Sequence, residues 1–221
     1  MKITHLVFVD VETTALKGPA SQADAIIEVA AARVELTSRR IEDQFETLIR
    51  PWGEQSTRWG LGAGRGDIPD TWKLGDFHTK AGHFDGVDWS TAVDLDVALD
   101  VLATRFLIDG ATIAGQNPGF DLDHLRRDFV NHHRPWPKLD YHVIDLVTGA
   151  MFLAMAGKVE GCSLRHVIPW AYVDPDRKQA HRAGQDVRDE IQVFFAMADQ
   201  FMHGIRPQIS GGPMIGWGEP L

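Results

Sequence analysis

A chain of 221 residues, 44% apolar and 24% charged, is long enough for one domain with a real hydrophobic core. Its formal net charge of -9 argues against broad electrostatic wrapping of nucleic acid, but not against a local site where metal ions neutralise acids. The single cysteine, Cys162, excludes an internal disulfide framework and favours a reducing, cytoplasmic setting.

The start, "MKITHLVFVD", reaches an acid too early for a secretory signal. No apolar run approaches the roughly 20 residues of a membrane span. "HLVFVDVE" (His5 to Glu12) reads as a buried strand rich in Val and Phe. "AIIEVAAARVEL" (Ala25 to Leu36) predicts a second strand, with helix left open at its alanine-rich start. "RIEDQFETLIRP" (Arg40 to Pro51) alternates and ends at a proline, which predicts a third. The short connections imply an antiparallel meander.

Periodicity is lost from Trp52 to about Trp89. A loop of that length inside a domain is usually functional or mobile. Trp52, Trp59, Trp72 and Trp89 lie here, four of the seven tryptophans, as packing anchors or a substrate wall. One short helix is predicted near Pro69 to Leu74.

"STAVDLDVALDVLATRFLI" (Ser90 to Ile108) predicts a helix capped by Ser90 or Thr91. "ATIAGQN" (Ala111 to Asn117) is a short buried strand broken by Pro118 and Gly119. An amphipathic helix follows from Asp121 to His133. "PKLDYHVIDL" is the fifth strand, then come helices over Asp145 to Ala156 and around Cys162 to Val167. "PWAYVDPDRKQ" reads as a turn-rich loop before a last long helix, Arg182 to Met202. Strands interleaved with helices predict an α/β domain, a mixed sheet covered on both faces. Residues 1–203 form one domain on this reading, with an insertion at about 52–89. The Gly- and Pro-rich tail, 204–221, is irregular.

The stretch "FVDVETTAL" carries the chemistry. Side chains alternate along a strand, so Asp10 and Glu12 share one face and Val9 and Val11 the other. Neighbouring carboxylates repel, and burial makes that worse. A divalent cation resolves both costs, and Mg2+ and Mn2+ prefer oxygen ligands. The bland alternative is an exposed acidic strand end.

Asp121 opens a helix straight after a strand, where an acid also suits the positive helix end. Asp123 reads as a surface residue. Asp186 lies early in the last helix. Asp189 and Glu190, one turn on, read as its solvated face. His181 precedes Asp186 by five residues, which one continuous helix would rotate about 140° apart. His181 is therefore placed on the preceding loop or first turn, within reach as a general base.

As a set, these motifs resemble the 3'-to-5' exonucleases of the DEDD superfamily, histidine subtype. That family includes the proofreading exonuclease subunit of bacterial DNA polymerase III. The first motif appears as "DVETT" (Asp10, Glu12), the second as "NPGFD" (Asn117, Phe120, Asp121), the third as "HRAGQD" (His181, Ala183, Asp186). Ala15 stands where the family has glycine. The likeness spans roughly Leu6 to Phe201, without the Trp52 to Trp89 region or the tail.

The resemblance implies a ribonuclease H-like fold, with a mixed five-stranded sheet and helices on both faces. It implies that Asp10, Glu12, Asp121 and Asp186 hold two Mg2+ or Mn2+ ions roughly 4 Å apart. His181 would act as general base while a nucleoside 5'-monophosphate leaves a 3' end. Glu12, Thr13 and Thr14 would meet the terminal nucleotide. Leu16 and Phe120 are candidates for stacking on bases or for plain core. Asn117 orients the network or caps the turn.

His124, His132 and His133 read as ordinary helix residues, and Arg126 and Arg127 as a solvated face. Cys162 reads as an apolar filler. The expected partner is a single-stranded 3' end, with DNA favoured by the paired threonines. An exoribonuclease and a non-catalytic nucleic-acid-binding module are the alternatives. A polymerase or repair protein is a further candidate partner. No membrane contact is expected, and a monomer is the simplest state.

Overall fold

Residues 3–14, 25–50, 82, 84–172 and 174–204 are described by the structure, a computed structural model. The expected short helix near Pro69, the side chain of Leu16 and the tail beyond 204 lie outside them. Strands β1 (His5–Thr13), β2 (Ile26–Glu35) and β3 (Arg40–Leu48) form the expected antiparallel meander. The alanines of β2 are strand throughout, and Ala30, Ala31 and Ala32 are all buried. A strand covered on both faces favours small and β-branched residues over strict alternation.

Strands β4 (Ile113–Gly115) and β5 (Val143–Asp145) add in parallel, and the sheet order is β3-β2-β1-β4-β5. Alternation along β1 feeds two cores. Val7, Val9 and Val11 point toward helix α1 (Leu95–Val101, prolonged by a π-helical turn to Phe106) and helix α2 (Pro118–Asn131). Leu6 and Phe8 face helix α5 (Ala183–His203), through Val187, Ile191 and Phe195. Helices α3 (Leu146–Met155) and α4 (Leu164–Tyr172) pack on the same α5 through Val193, Ala196 and Met197. Each fully buried Leu, Ile or Phe contributes about 1.5–3 kcal/mol, so this long helix is anchored along most of its length.

Several boundaries depart from the sequence reading. Helix α1 begins at Leu95 rather than Ser90. Trp89–Thr91 instead form a single 3-10 turn whose Ser90 N–H donates to Asp88 (2.9 Å). Ala92 is then extended and Val93 bridges to Ile49, which interrupts any continuous helix. Of the tryptophans in that region, Trp89 is an anchor: it is buried and stacks on Phe84 at 5.7 Å.

The strand ends before Pro118 as expected, but helix α2 starts at Pro118 itself rather than at Asp121. A first-turn N–H has no intrahelical acceptor, so proline loses nothing at that position. Strand β5 is much shorter than "PKLDYHVIDL" implied, and Pro137 cannot donate to a ladder. Helix α4 runs on to Tyr172 through Pro169, where a turn-rich loop was expected.

Candidate metal centre

The acids gather where two parallel strands end. Strand β1 pairs with β4 only at Val7 and Phe8. Beyond that point its β4-side edge is open, and the Val11 N–H donates to Asp121 Oδ1 (2.9 Å). Asp121 is thereby both the first-turn acid of α2 and a substitute for the missing strand. Asp10 and Glu12 lie on the β1 face that meets α5, and Asp186 occupies the first turn of that helix.

His181 lies two residues before α5, with a left-handed φ of 51°. The expectation that it sits off the helix is met. Ligand atoms of Glu12, His181 and Asp186 all lie within 4.8 Å of one another, so these three could hold a divalent cation.

The segment carrying His181 is clamped on both sides. The Gln179 amide donates to Asp186 Oδ2 (2.7 Å). Arg182 donates through Nε and Nη2 to Glu28, at 2.8 to 3.1 Å. The Ala183 N–H reaches the same carboxylate (3.2 Å). Glu28 thus caps α5 from another strand, because Arg182 at the N-cap position makes no side-chain cap bond. Further back, Asp189 Oδ1 accepts from Tyr172 Oη (2.6 Å), Arg177 Nη2 (2.9 Å) and Gln185 Nε2 (3.0 Å).

Crowding and burial push the acids' proton affinities up. Burial and Asp186 raise Glu12 to about 8, although Arg182 pulls the other way. Burial raises Asp121 to about 8 against the opposing Val11 hydrogen bond. Burial also raises Asp186, to about 6. Asp10 is raised well above the usual carboxylate range by burial, then by Asp121 and Glu190.

These residues fit a cation on a separate observation. Asp10 Oδ2 and Asp186 Oδ1 are buried and accept no hydrogen bond from the described residues. Buried carboxylate oxygens without donors are costly, and a hard divalent ion satisfies several at once.

The other residues singled out in the sequence are placed as follows. Thr13 and Thr14 are buried at the end of β1. The Ala25 N–H donates to the Thr14 hydroxyl (3.0 Å), which locks the β1–β2 mouth. Asn117 has φ 57° and no side-chain cap bond. Its residue type answers to the left-handed backbone, which asparagine tolerates. The Phe120 ring lies tilted against the buried His124 at 4.4 Å and packs against the core. Cys162 packs beside α4, as a filler should.

Two expectations are corrected. Asp189 and Glu190 are each 1% exposed rather than solvated. Arg127 is turned inward onto the buried Asp128 (Nε to Oδ1, 2.8 Å), and only Arg126 keeps to the surface. Glu28, Gln179 and Arg182 also serve the site without having stood out in the sequence, and so does Glu190, which reads there as solvated. For Glu190 a signal existed: four residues after Asp186 is the same helix face. For Glu28 there was none without the strand register.

A five-stranded mixed sheet with helices on both faces, in this strand order, is an α/β ribonuclease H-like fold. Comparison with solved structures finds the same fold in E. coli Exonuclease I. In complex with a 5cy-dT13 oligonucleotide it matches with a TM-score of 0.61 and 14% identity, over 92% of this chain and 42% of that one. In complex with a 5cy-dA13 oligonucleotide the values are 0.60 and 14%, over 90% and 41%. A moderately thermophilic Exonuclease I from Methylocaldum szegediense matches at 0.58 and 18%, over 91% and 41%. The chain therefore spans about two fifths of the length of these proteins. Neither protein-family models nor curated proteins give a match. Among the described residues, no helix is long and apolar enough to cross a membrane.

Proposed function

We propose that residues 1–203 are a metal-dependent 3'-to-5' exonuclease domain acting on single-stranded DNA and releasing nucleoside 5'-monophosphates. One observation carries the reading: Glu12, Asp186 and His181 converge within 4.8 Å, beside Asp10 and the Val11-bonded Asp121. Acidic strand ends alone would not need an imidazole at the same point. The fold of the solved Exonuclease I structures, two of them holding DNA oligonucleotides, supports DNA as the substrate.

In this reading Asp10, Glu12, Asp121 and Asp186 hold two divalent cations, Mg2+ or Mn2+. Once bound, these supply activation of a water and stabilisation of charge on the leaving 3' oxygen. His181 accepts the water's proton on a ring nitrogen. Its position outside α5 takes the ring out of the helix's fixed side-chain directions, while Gln179 and Arg182 limit how far its backbone travels. Glu12 and Thr13, at the mouth of β1, meet the terminal nucleotide, and Phe120 borders it. Protonated acids bind cations poorly, so cation binding, and with it activity, is expected to strengthen as pH rises.

The test is a time course on single strands labelled at the 5' or the 3' end, as DNA and as RNA, with Mg2+, with Mn2+ and with chelator. Progressive shortening of 5'-labelled DNA, with only mononucleotide from the 3' label, is expected. Faster loss of RNA would transfer the reading to an exoribonuclease. No metal-dependent cleavage of either polymer, with tight binding retained, would leave a non-catalytic binding module.

A further inference from the structure

Glu190 belongs to none of the three sequence motifs, yet it is buried beside them. It sits on α5 one turn after Asp186, and the residue is 1% exposed. Its two oxygens are in different circumstances. Oε1 accepts the Gln116 N–H (2.8 Å), in the turn that joins β4 to α2. Oε2 is buried and accepts no hydrogen bond from the described residues. No side chain separates it from the end of β4: a Cβ added at Gly115 would lie 3.2 Å from that oxygen.

Glu190 also interacts electrostatically with Asp10, Asp121, Asp186 and, further from the proposed ligands, Asp189. A bond to backbone alone would be served as well by a neutral glutamine. A buried carboxylate with one unanswered oxygen, among four further acids, is costly unless a positive charge answers it.

We propose that Glu190 is a fifth carboxylate of the metal centre: its Oε1 holds the β4–α2 turn, and its charge, through Oε2, strengthens cation binding by the other acids. The role rests on the metal-dependent reading above. It is a positioning and charge-supplying role, distinct from chemistry at the phosphorus. Outer partners of metal ligands typically change metal affinity about 10–100-fold when removed.

The experiment measures Mn2+ binding to the whole chain directly, by calorimetry and by the loss of the free-ion electron paramagnetic resonance signal. Glu190→Gln keeps the acceptor for Gln116 and nearly the same volume, but removes the charge. It is expected to bind Mn2+ at least about tenfold more weakly. Glu190→Asp keeps the charge and shortens the reach to Gln116, and is expected to stay within about threefold of wild type.

Equal affinity of Glu190→Gln and wild type overturns the proposal while leaving the nuclease reading standing. An equal loss in both variants also overturns it, because the effect then follows the turn and not the charge. If Glu190→Gln fails to fold, Glu190→Asp decides alone: affinity within threefold supports the proposal and a tenfold loss overturns it. A wild-type chain that binds no Mn2+ removes this proposal and the metal-dependent reading together.

Discussion

Glu12 and Glu28 stand directly opposite each other across the β1–β2 pair, and the guanidinium of Arg182 lies on Glu28. Like charges facing across two strands destabilise the pair. Arg182 answers that repulsion and also ties the residue after His181 to the sheet. Arg182→Ala is expected to cost about 1–3 kcal/mol, less than a fully buried broken pair, because the guanidinium is 36% exposed against 7% for Glu28. Activity is expected to fall further than stability alone explains, mainly in kcat. Equilibrium denaturation beside steady-state kinetics would check both. A variant that loses stability but keeps kcat would remove Arg182 from the positioning of His181.

The raised carboxyls make the metal-free protein sensitive to alkali. Between their ordinary values near 4 and the folded values of about 6 to 8 for Asp186, Glu12 and Asp121, the folded state holds more protons than the unfolded. Stability falls as pH rises wherever that holds. Their contribution is complete below about pH 4 and is lost by about pH 8. In chelator, the melting temperature at about pH 8 is expected to lie below that at about pH 5, and Mn2+ is expected to reverse the loss. A melting temperature in chelator that rises across this window would contradict the assignment.

Asp10→Asn removes one of the crowded, buried carboxyls and should separate stability from function. In chelator near pH 8 the variant is expected to melt above wild type, by about 2–4 °C for each kcal/mol of relieved repulsion. It is also expected to lose the stabilisation by Mn2+ and the nuclease activity. Calorimetric melts with and without Mn2+ make the comparison, and a variant that melts lower in both conditions would show that Asp10 serves the fold.

Asp121 has a structural duty as well as a proposed ligand role. Asp121→Asn keeps an acceptor for the Val11 N–H, whereas Asp121→Ala leaves that buried donor unanswered at a cost of about 1–3 kcal/mol. Both are expected to be inactive, but only the alanine variant should expose Val11 to faster amide exchange. Equal protection of Val11 in the two variants would mean that the bond contributes nothing.

Asp189 gathers Tyr172, Arg177 and Gln185 on one oxygen, and Arg177 also stacks on the Tyr172 ring at 4.0 Å. This knot holds the chain between α4 and α5, which leads to His181. Asp189→Ala is expected to cost about 2–3 kcal/mol and to speed proteolysis at Arg177 and Lys178. Trypsin digestion of the folded protein is the measurement. Unchanged cleavage there would place the anchorage of His181 in Arg182 and Gln179 alone.

Much was legible in the chain because the rules involved are local. Alternation in "HLVFVDVE" set Asp10 and Glu12 on one face, and the five-residue step from His181 to Asp186 put the histidine off the helix. Strand and helix order followed from periodicity, and with it the α/β class and the meander. Boundaries were less legible, as at Pro118 and Pro169, because the same residue starts a helix, breaks it or rides within it according to what surrounds it.

Tertiary structure alone decided the partners of the acids. The Val11 to Asp121 bond joins residues 110 apart in sequence, and the Arg182 to Glu28 clamp joins residues 154 apart. Glu12 meets Glu28 only through the β1–β2 register. Glu190 reads as a surface acid until α5 is laid against β1 and β4, when its face becomes interior. A carboxylate's role depends on what surrounds it in space, and neither register nor helix packing is written in its neighbours along the chain.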